Sequence, residues 1–148
     1  MDQNFTIRNL EVSDYYKEYL NLLSQLTTTL IVSYNEFCEF VNSLNLNHQI
    51  LVIEDLNTNK IIGTGTVLIE CKLIHGLGKV AHIEDIVTDS KFRGQGLGSH
   101  LINYLVVEAE AAGCYKVILD CAEHNVGFYT KCGFEQKGFQ MAKVLITR

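Results

Sequence analysis

Between Val80 and Ala112 the hydrophobic period changes, and the hexapeptide Arg93-Gly94-Gln95-Gly96-Leu97-Gly98 lies at the change. Val80 to Thr88 reads as a strand. Leu97, Leu101, Leu105 and Ala109 recur at helical spacing up to Ala112, and Gly113 suits the position just past the helix end. A strand, a glycine-rich turn and a helix in that order commit the chain to an α/β unit. They also make an anion site. Glycines let the backbone approach a ligand without a Cβ in the way. The helix behind them offers unpaired N–H groups and the positive end of its dipole. Arg93 adds a charge-assisted donor.

The glycines at 94, 96 and 98 do not make the G-x-G-x-x-G of a dinucleotide fold. Leu97-Gly98-Ser99 lacks the lysine of a Walker A loop. A pyrophosphate or similar anion fits what remains. The competing reading is a glycine-rich turn that only starts a helix.

The rest of the chain is consistent with one mixed α/β domain over residues 1–148. Phe5 to Asn9 alternates as a first strand, and Ser13 can cap a helix carrying Tyr16, Tyr19, Leu20 and Leu23. Ser33-Tyr34-Asn35-Glu36 is a capping box for a second helix with Phe37, Phe40, Val41 and Leu44 on one face. Gln49 to Glu54 and Ile61 to Cys71, joined through Asn57-Thr58-Asn59, predict an antiparallel hairpin. Leu73 to Lys79 is a loop, and Tyr115 to Cys121 a mostly apolar strand. Asn125 to Cys132 is a short helix, and Phe134 to Ile146 a final strand or two.

The formal net charge of -5 argues against a nucleic-acid-binding surface. No run approaches the roughly 18 apolar residues of a membrane helix, and Met1 to Asn9 has no signal-peptide pattern. The five cysteines are odd in number and none are spaced C-x-x-C, so reduced thiols in the cytoplasm are expected, with no disulfide frame and no metal.

Arg93-x-x-Gly96-x-Gly98 resembles the acyl-CoA signature of the GNAT superfamily of N-acetyltransferases, and the element order matches along the whole chain. That resemblance implies a mixed, mostly antiparallel sheet flanked by helices and splayed between its fourth and fifth strands, with acetyl-CoA in the gap and no metal. Four blocks resemble, more narrowly, the members that acetylate glucosamine 6-phosphate. They are His82 to Val87, the glycine loop, Gly113 to Cys121, and Asn125 to Phe134. Gln25-Leu26-Thr27 and Lys72-Leu73-Ile74-His75 add to them.

The resemblance implies roles residue by residue. Arg93, Gly94, Gln95, Gly96, Leu97 and Gly98 hold the pyrophosphate, and main-chain groups of Ile86, Val87 and Thr88 hold the pantetheine arm. Asn125, Phe128 and Tyr129 flank the cofactor, and the Tyr129 phenol can protonate or hydrogen-bond the leaving thiolate. Glu84, Asp85 and Ile86 line the sugar site, Glu84 as a catalytic carboxylate. Asp120 orients the amine or helps its proton leave. Thr27, Lys72, Leu73, Ile74, His75, Tyr115 and Lys116 bind the sugar phosphate. The family also implies a homodimer whose active sites are shared between chains.

Three expectations come from the residues themselves. Alternation along a strand would turn Glu84 and Asp85 to opposite faces, so they are not a paired dyad. Asp120, at the end of Val117-Ile118-Leu119, would need a partner if buried. His82, His100 and His124 read as structural or exposed. The family's C-terminal arginine falls on Val144 here, leaving Lys143 and Arg148 as the cations of that tail. Enzymes for another amine, or a non-catalytic CoA-binding module, are the alternatives. Tyr129 and Asp120 argue against the second.

Overall fold

The computed structural model describes residues 4–146. Five strands form one open sheet in sequence order: β1 (Phe5–Asn9), β2 (His48–Asp55), β3 (Lys60–Cys71), β4 (Lys79–Thr88) and β5 (Cys114–Ile118). The first four pair antiparallel and β5 joins β4 in parallel.

Helix α4 (Leu97–Ala111) covers one face of the sheet. Its Leu101, Ile102, Leu105 and Ala109 are fully buried against Leu51, Ile53, Val67, Ala81 and Ile83. Helices α1 (Tyr19–Leu23) and α2 (Tyr34–Ser43) lie on the other face. There Tyr19, Leu22 and Phe37 meet Ile50, Val52, Ile61 and Val87. The expected capping box is present: Ser33 Oγ accepts from Glu36 N–H, and a Glu36 carboxylate oxygen accepts from Ser33 N–H.

The first expected helix is divided. Residues Val12–Tyr16 make a 3-10 turn, and α1 starts only after Glu18, at φ 64°. The turn is pinned by Asp14, which is fully buried and takes two hydrogen bonds of 2.8 Å from Arg8. Arg8 also reaches Glu54 at 2.7 Å, and Lys17 meets the same carboxylate at 2.6 Å. This four-residue ion cluster ties β1, the turn and β2 together, and it sets the break that helical periodicity alone did not show.

Two further boundaries differ from expectation. Strand β5 stops at Ile118 rather than Cys121, because β4 no longer runs beside it. The predicted strand over Phe134 to Ile146 is absent among the described residues, which carry no sheet pairing there. Phe139, Met141, Val144 and Leu145 are all at least 80% exposed. That apolar segment pairs with none of the strand edges among the described residues. Arg148 lies outside the described residues.

Candidate active site

The site forms where two paired strands part. Strands β4 and β5 share register from Lys79 opposite Cys114 to His82 opposite Ile118, and no further. From Ile83 to Thr88, β4 keeps its pairing with β3 on one side and faces no strand on the other. That leaves a row of backbone donors and acceptors along a gap, which an extended ligand can use as a strand would.

Asp89 follows β4 and caps a short 3-10 turn, Ser90–Phe92, by accepting from Lys91 N–H at 2.9 Å. The Ser90 N–H donates to Gln25 Oε1 at 2.9 Å, which ties the end of α1 to this turn. Arg93 follows, its Nε–H donating to the Thr88 carbonyl at 3.3 Å. Gly94 and Gly96 both have positive φ, 82° and 78°, with open space where a Cβ would stand. A side chain at either would strain the loop, and the bare backbone leaves room for a phosphate over the N-terminus of α4.

A third group comes from the chain after β5. Asn125 ends a 3-10 turn, Glu123–Asn125, and leads into helix α5 (Val126–Lys131). The Phe128 ring packs on Gly98 and against Tyr129, with ring centroids 5.0 Å apart. Tyr129 is half-buried. Burial raises its phenol above the ordinary value of 10.0, and the Cys121 and Cys132 thiols push it further the same way. No protein group among the described residues hydrogen-bonds its hydroxyl.

Two carboxylates stand where the strands part, Glu84 on β4 and Asp120 just past β5. Burial raises the Glu84 pKa above its ordinary value; the charges of Asp85 and Asp120 add to this and His82 opposes it. So Glu84 and Asp120 lie close enough to feel one another across the divergence. Two expectations are corrected here. Asp120 is exposed and lies past the end of β5, so no buried partner is required of it. Strand alternation also fails at Glu84 and Asp85. Asp85 has φ 52°, and the β3–β4 register slips there: two steps along β3, from Thr64 to Thr66, match three along β4, from Val87 to Glu84. This bulge leaves both carboxylates exposed instead of sending Asp85 into the core under α4.

The residues expected at the sugar phosphate fall at the far end of these strands. Leu73 precedes the single turn α3 (Ile74–Leu77), where His75 has a left-handed φ of 54°. The His75 ring lies against Tyr115 at 4.6 Å, and Lys116 Nζ is 5.9 Å from the Tyr115 ring centre. Lys72 pairs with Glu70 at 3.2 Å, and Glu70 also meets His82 Nε2 at 2.9 Å. Sequence reasoning did not single out Glu70, although its place two residues before Lys72 on a strand was the available signal. Thr27 lies in the exposed segment after α1. Tyr115 and Lys116 flank the first parallel pairs of β4 and β5, with Lys79 opposite Cys114. Lys116 is opposite Val80, and Glu84 lies four residues further along β4, about 13 Å away at strand rise. Within one chain His75 and Lys116 therefore stand apart from Glu84, while Lys72 is linked through Glu70 to His82, two residues before Glu84.

A sheet that parts beside a glycine-lined helix N-terminus is the arrangement of an acyl-CoA-dependent acetyltransferase, and the model of the acetyltransferase (GNAT) family matches residues 6–134. Relatives narrow the class. The chain is 46% identical to the glucosamine 6-phosphate N-acetyltransferase of Arabidopsis thaliana, over 97% of this chain and 98% of that one. It is 41% identical to glucosamine 6-phosphate N-acetyltransferase 1 of Dictyostelium discoideum, over 99% and 95%. The crystal structure of the Arabidopsis thaliana enzyme superposes with a TM-score of 0.92, covering 96% of this chain and 99% of that one. The chain belongs to the glucosamine 6-phosphate N-acetyltransferase family of GNAT acyltransferases. GNAT acetyltransferases use acetyl-CoA, and the open β4 edge with the Gly94–Gly96 cradle fits an extended arm ending in a pyrophosphate.

Proposed function

We propose that this chain transfers the acetyl group of acetyl-CoA to the amine of D-glucosamine 6-phosphate, giving N-acetylglucosamine 6-phosphate and CoA. The product would feed UDP-N-acetylglucosamine synthesis in the cytoplasm. The observation that carries this reading is the β4–β5 divergence, with Glu84 and Asp120 on its walls, the Arg93–Gly98 loop at its mouth and Tyr129 beside it.

The chemistry follows from those positions. The Arg93–Gly98 loop takes the pyrophosphate, and the free edge of β4 from Ile86 to Thr88 takes the pantetheine arm. Asn125 and Phe128 flank it. At neutral pH the sugar amine is an ammonium and cannot attack. Asp120 orients it and Glu84 accepts its proton. A carboxylate raised toward the working pH is a better base than one at its ordinary value. The freed nitrogen attacks the thioester carbonyl carbon and forms the C–N bond. The oxyanion is met by backbone N–H groups of the β4 edge. The C–S bond then breaks, and Tyr129 gives the departing thiolate its phenolic proton. The attacking nitrogen, cationic once the C–N bond forms, releases its second proton, which passes through water to restore the Tyr129 phenol, and the proton held by Glu84 returns to solvent.

The phosphate calls for cations, and Lys72, His75 and Lys116, with Tyr115, Thr27, Leu73 and Ile74, supply such a set. The distance of His75 and Lys116 from Glu84 along one chain supports a homodimer in which one copy's phosphate-binding group serves the other copy's acetyl-transfer group. The exposed apolar segment from Phe139 to Ile146 supports the same reading, as a surface a second copy would cover. Val144 offers no charge to the phosphate there, so Lys143 is the nearest described cation of the tail.

A free-thiol assay with acetyl-CoA tests the reaction. Turnover is expected with glucosamine 6-phosphate and not with unphosphorylated glucosamine. No thiol release with the phosphosugar, or equal rates with both, overturns the substrate assignment. Sedimentation of the intact chain tests the dimer, and a monomer at assay concentration overturns shared sites.

A further inference from the structure

The bulge in β4 reverses which side chains face which helix. Ala81 and Ile83 pack under α4. Regular alternation would place Asp85 and Val87 on that side too. Instead Ile86 packs with the α4 cluster, and Val87 goes to the α1–α2 cluster. The chain has taken one extra residue, and Ile86 occupies the place that Asp85 would have held.

The neighbouring strand is shaped to receive it. Gly65 of β3 lies within the register slip, between Thr64 and Thr66. A Cβ on Gly65 would stand 2.4 Å from Ile86 Cδ1, 3.0 Å from Leu105 Cδ1 and 3.4 Å from Leu101 Cδ2. Ile86 therefore fills the space a side chain at 65 would need. If the two compete, β4 is the strand that yields. β3 is paired on both sides, and Thr64 Oγ1 holds it by donating to the Leu51 carbonyl at 2.9 Å while meeting Tyr19 Oη at 3.3 Å. The outer edge of β4 is free from Ile83 onward, and Leu101 and Leu105 are fully buried, with no room to retreat.

We propose that Gly65 is a positioning residue for acetyl transfer. The hollow above it seats Ile86, which fixes the bulge and so sets both the backbone line from Ile86 to Thr88 and the outward placement of Glu84 and Asp85. Gly65 touches no substrate and acts through Ile86. This rests on the assignment of that backbone line to acetyl-CoA given above.

The test is a double-mutant cycle of Gly65→Ala and Ile86→Val, the second removing the Cδ1 that a Cβ at 65 would strike. Acetyl-CoA affinity of the folded protein is read by calorimetry without sugar, alongside a thermal melt. Gly65→Ala is expected to weaken binding by about tenfold to a hundredfold, the scale of a displacement near one ångström. The double variant is expected to recover most of that loss, a coupling that independent sites do not show. If Gly65→Ala alone does not fold, the double variant is compared with Ile86→Val, and affinities within a few-fold of each other support the proposal. Additive losses, a double variant that folds without recovering affinity, or a Gly65→Ala protein that melts earlier but binds normally overturn it. Because binding is read without sugar, a failure to acetylate glucosamine 6-phosphate would count against the proposed reaction and not against this role.

Discussion

The ring of Phe128 rests on Gly98, so close that a Cβ there would meet Cζ at 3.2 Å. This contact joins the first turn of α4, which carries the anion loop, to α5, which carries Tyr129. The proposed partner of the pyrophosphate and the proposed partner of the sulfur are thus set relative to one another by one ring and one missing side chain. Gly98→Ala should push Phe128 outward and Tyr129 with it. The expected result is a kcat lowered by about tenfold, with a smaller change in the KM for the sugar. Steady-state kinetics with both substrates checks it.

Tyr129→Phe keeps the ring packing and removes the hydroxyl. If that hydroxyl meets the leaving sulfur, kcat should fall by about a hundredfold, the loss of one donor at a developing charge. The phenol pKa is raised by burial, so the hydroxyl stays protonated through the neutral and mildly alkaline range. Any alkaline loss of activity that stems from this phenol should therefore start above the ordinary tyrosine value. A pH–rate profile of the wild type and the Phe variant tests both statements.

Glu84 gives a prediction with a definite sign. Burial, then Asp85, then Asp120 raise its pKa. As a base it works only when ionised, so activity should be lost as pH falls through that raised value. Asp120→Asn removes one of the repelling charges. The acid limb of the kcat profile should then move to lower pH, whatever happens to the height of the plateau. A limb that stays in place or moves up would argue against Glu84 as the proton acceptor.

The ion cluster at the N-terminal strand is a matter of stability. Asp14→Ala would leave Arg8 without its bidentate partner, beside Glu54 and, at 3.8 Å, Glu11. Breaking a buried pair from one side typically costs about 3–5 kcal/mol. Denaturant unfolding should show a loss of that order, with little change in activity per folded molecule. The pH sense follows from Glu54, whose pKa is lowered chiefly by the Lys17 hydrogen bond and also by Arg8. Its contribution is present above the unfolded carboxylate value and is lost as pH falls through the lower folded one. Acid unfolding of a Lys17→Met variant should therefore begin at higher pH than that of the wild type.

Much of this was written in local pattern. The α4 stripe, the Ser33–Glu36 box, the hairpin and the glycine loop all came from residues near one another in sequence, where period and capping chemistry act. What escaped the sequence depends on distant groups. The break at Glu18 follows from Asp14 finding Arg8, which Glu54 holds in turn. The failed alternation at Asp85 follows from a glycine on the neighbouring strand, twenty positions away. The C-terminal segment has strand-like composition, but composition does not say whether a segment finds an edge to pair with, and among the described residues it pairs with none. Site residues at the gap were found together, while the cations at His75 and Lys116 were not, because residue identity does not say at which end of a strand a group will lie.

The parted strands have a thermodynamic side as well. From Ile83 to Thr88 the outer backbone groups of β4 pair with no strand among the described residues, and a cofactor arm laid along them would complete the sheet in the manner of a sixth strand. A ligand that binds only the folded chain stabilises it by an amount that grows with the logarithm of its concentration, about 2.7 kcal/mol at a hundredfold excess over Kd. The melting temperature of this protein should then rise with free acetyl-CoA, so that its lifetime in a cell becomes tied to the acetyl supply it draws on.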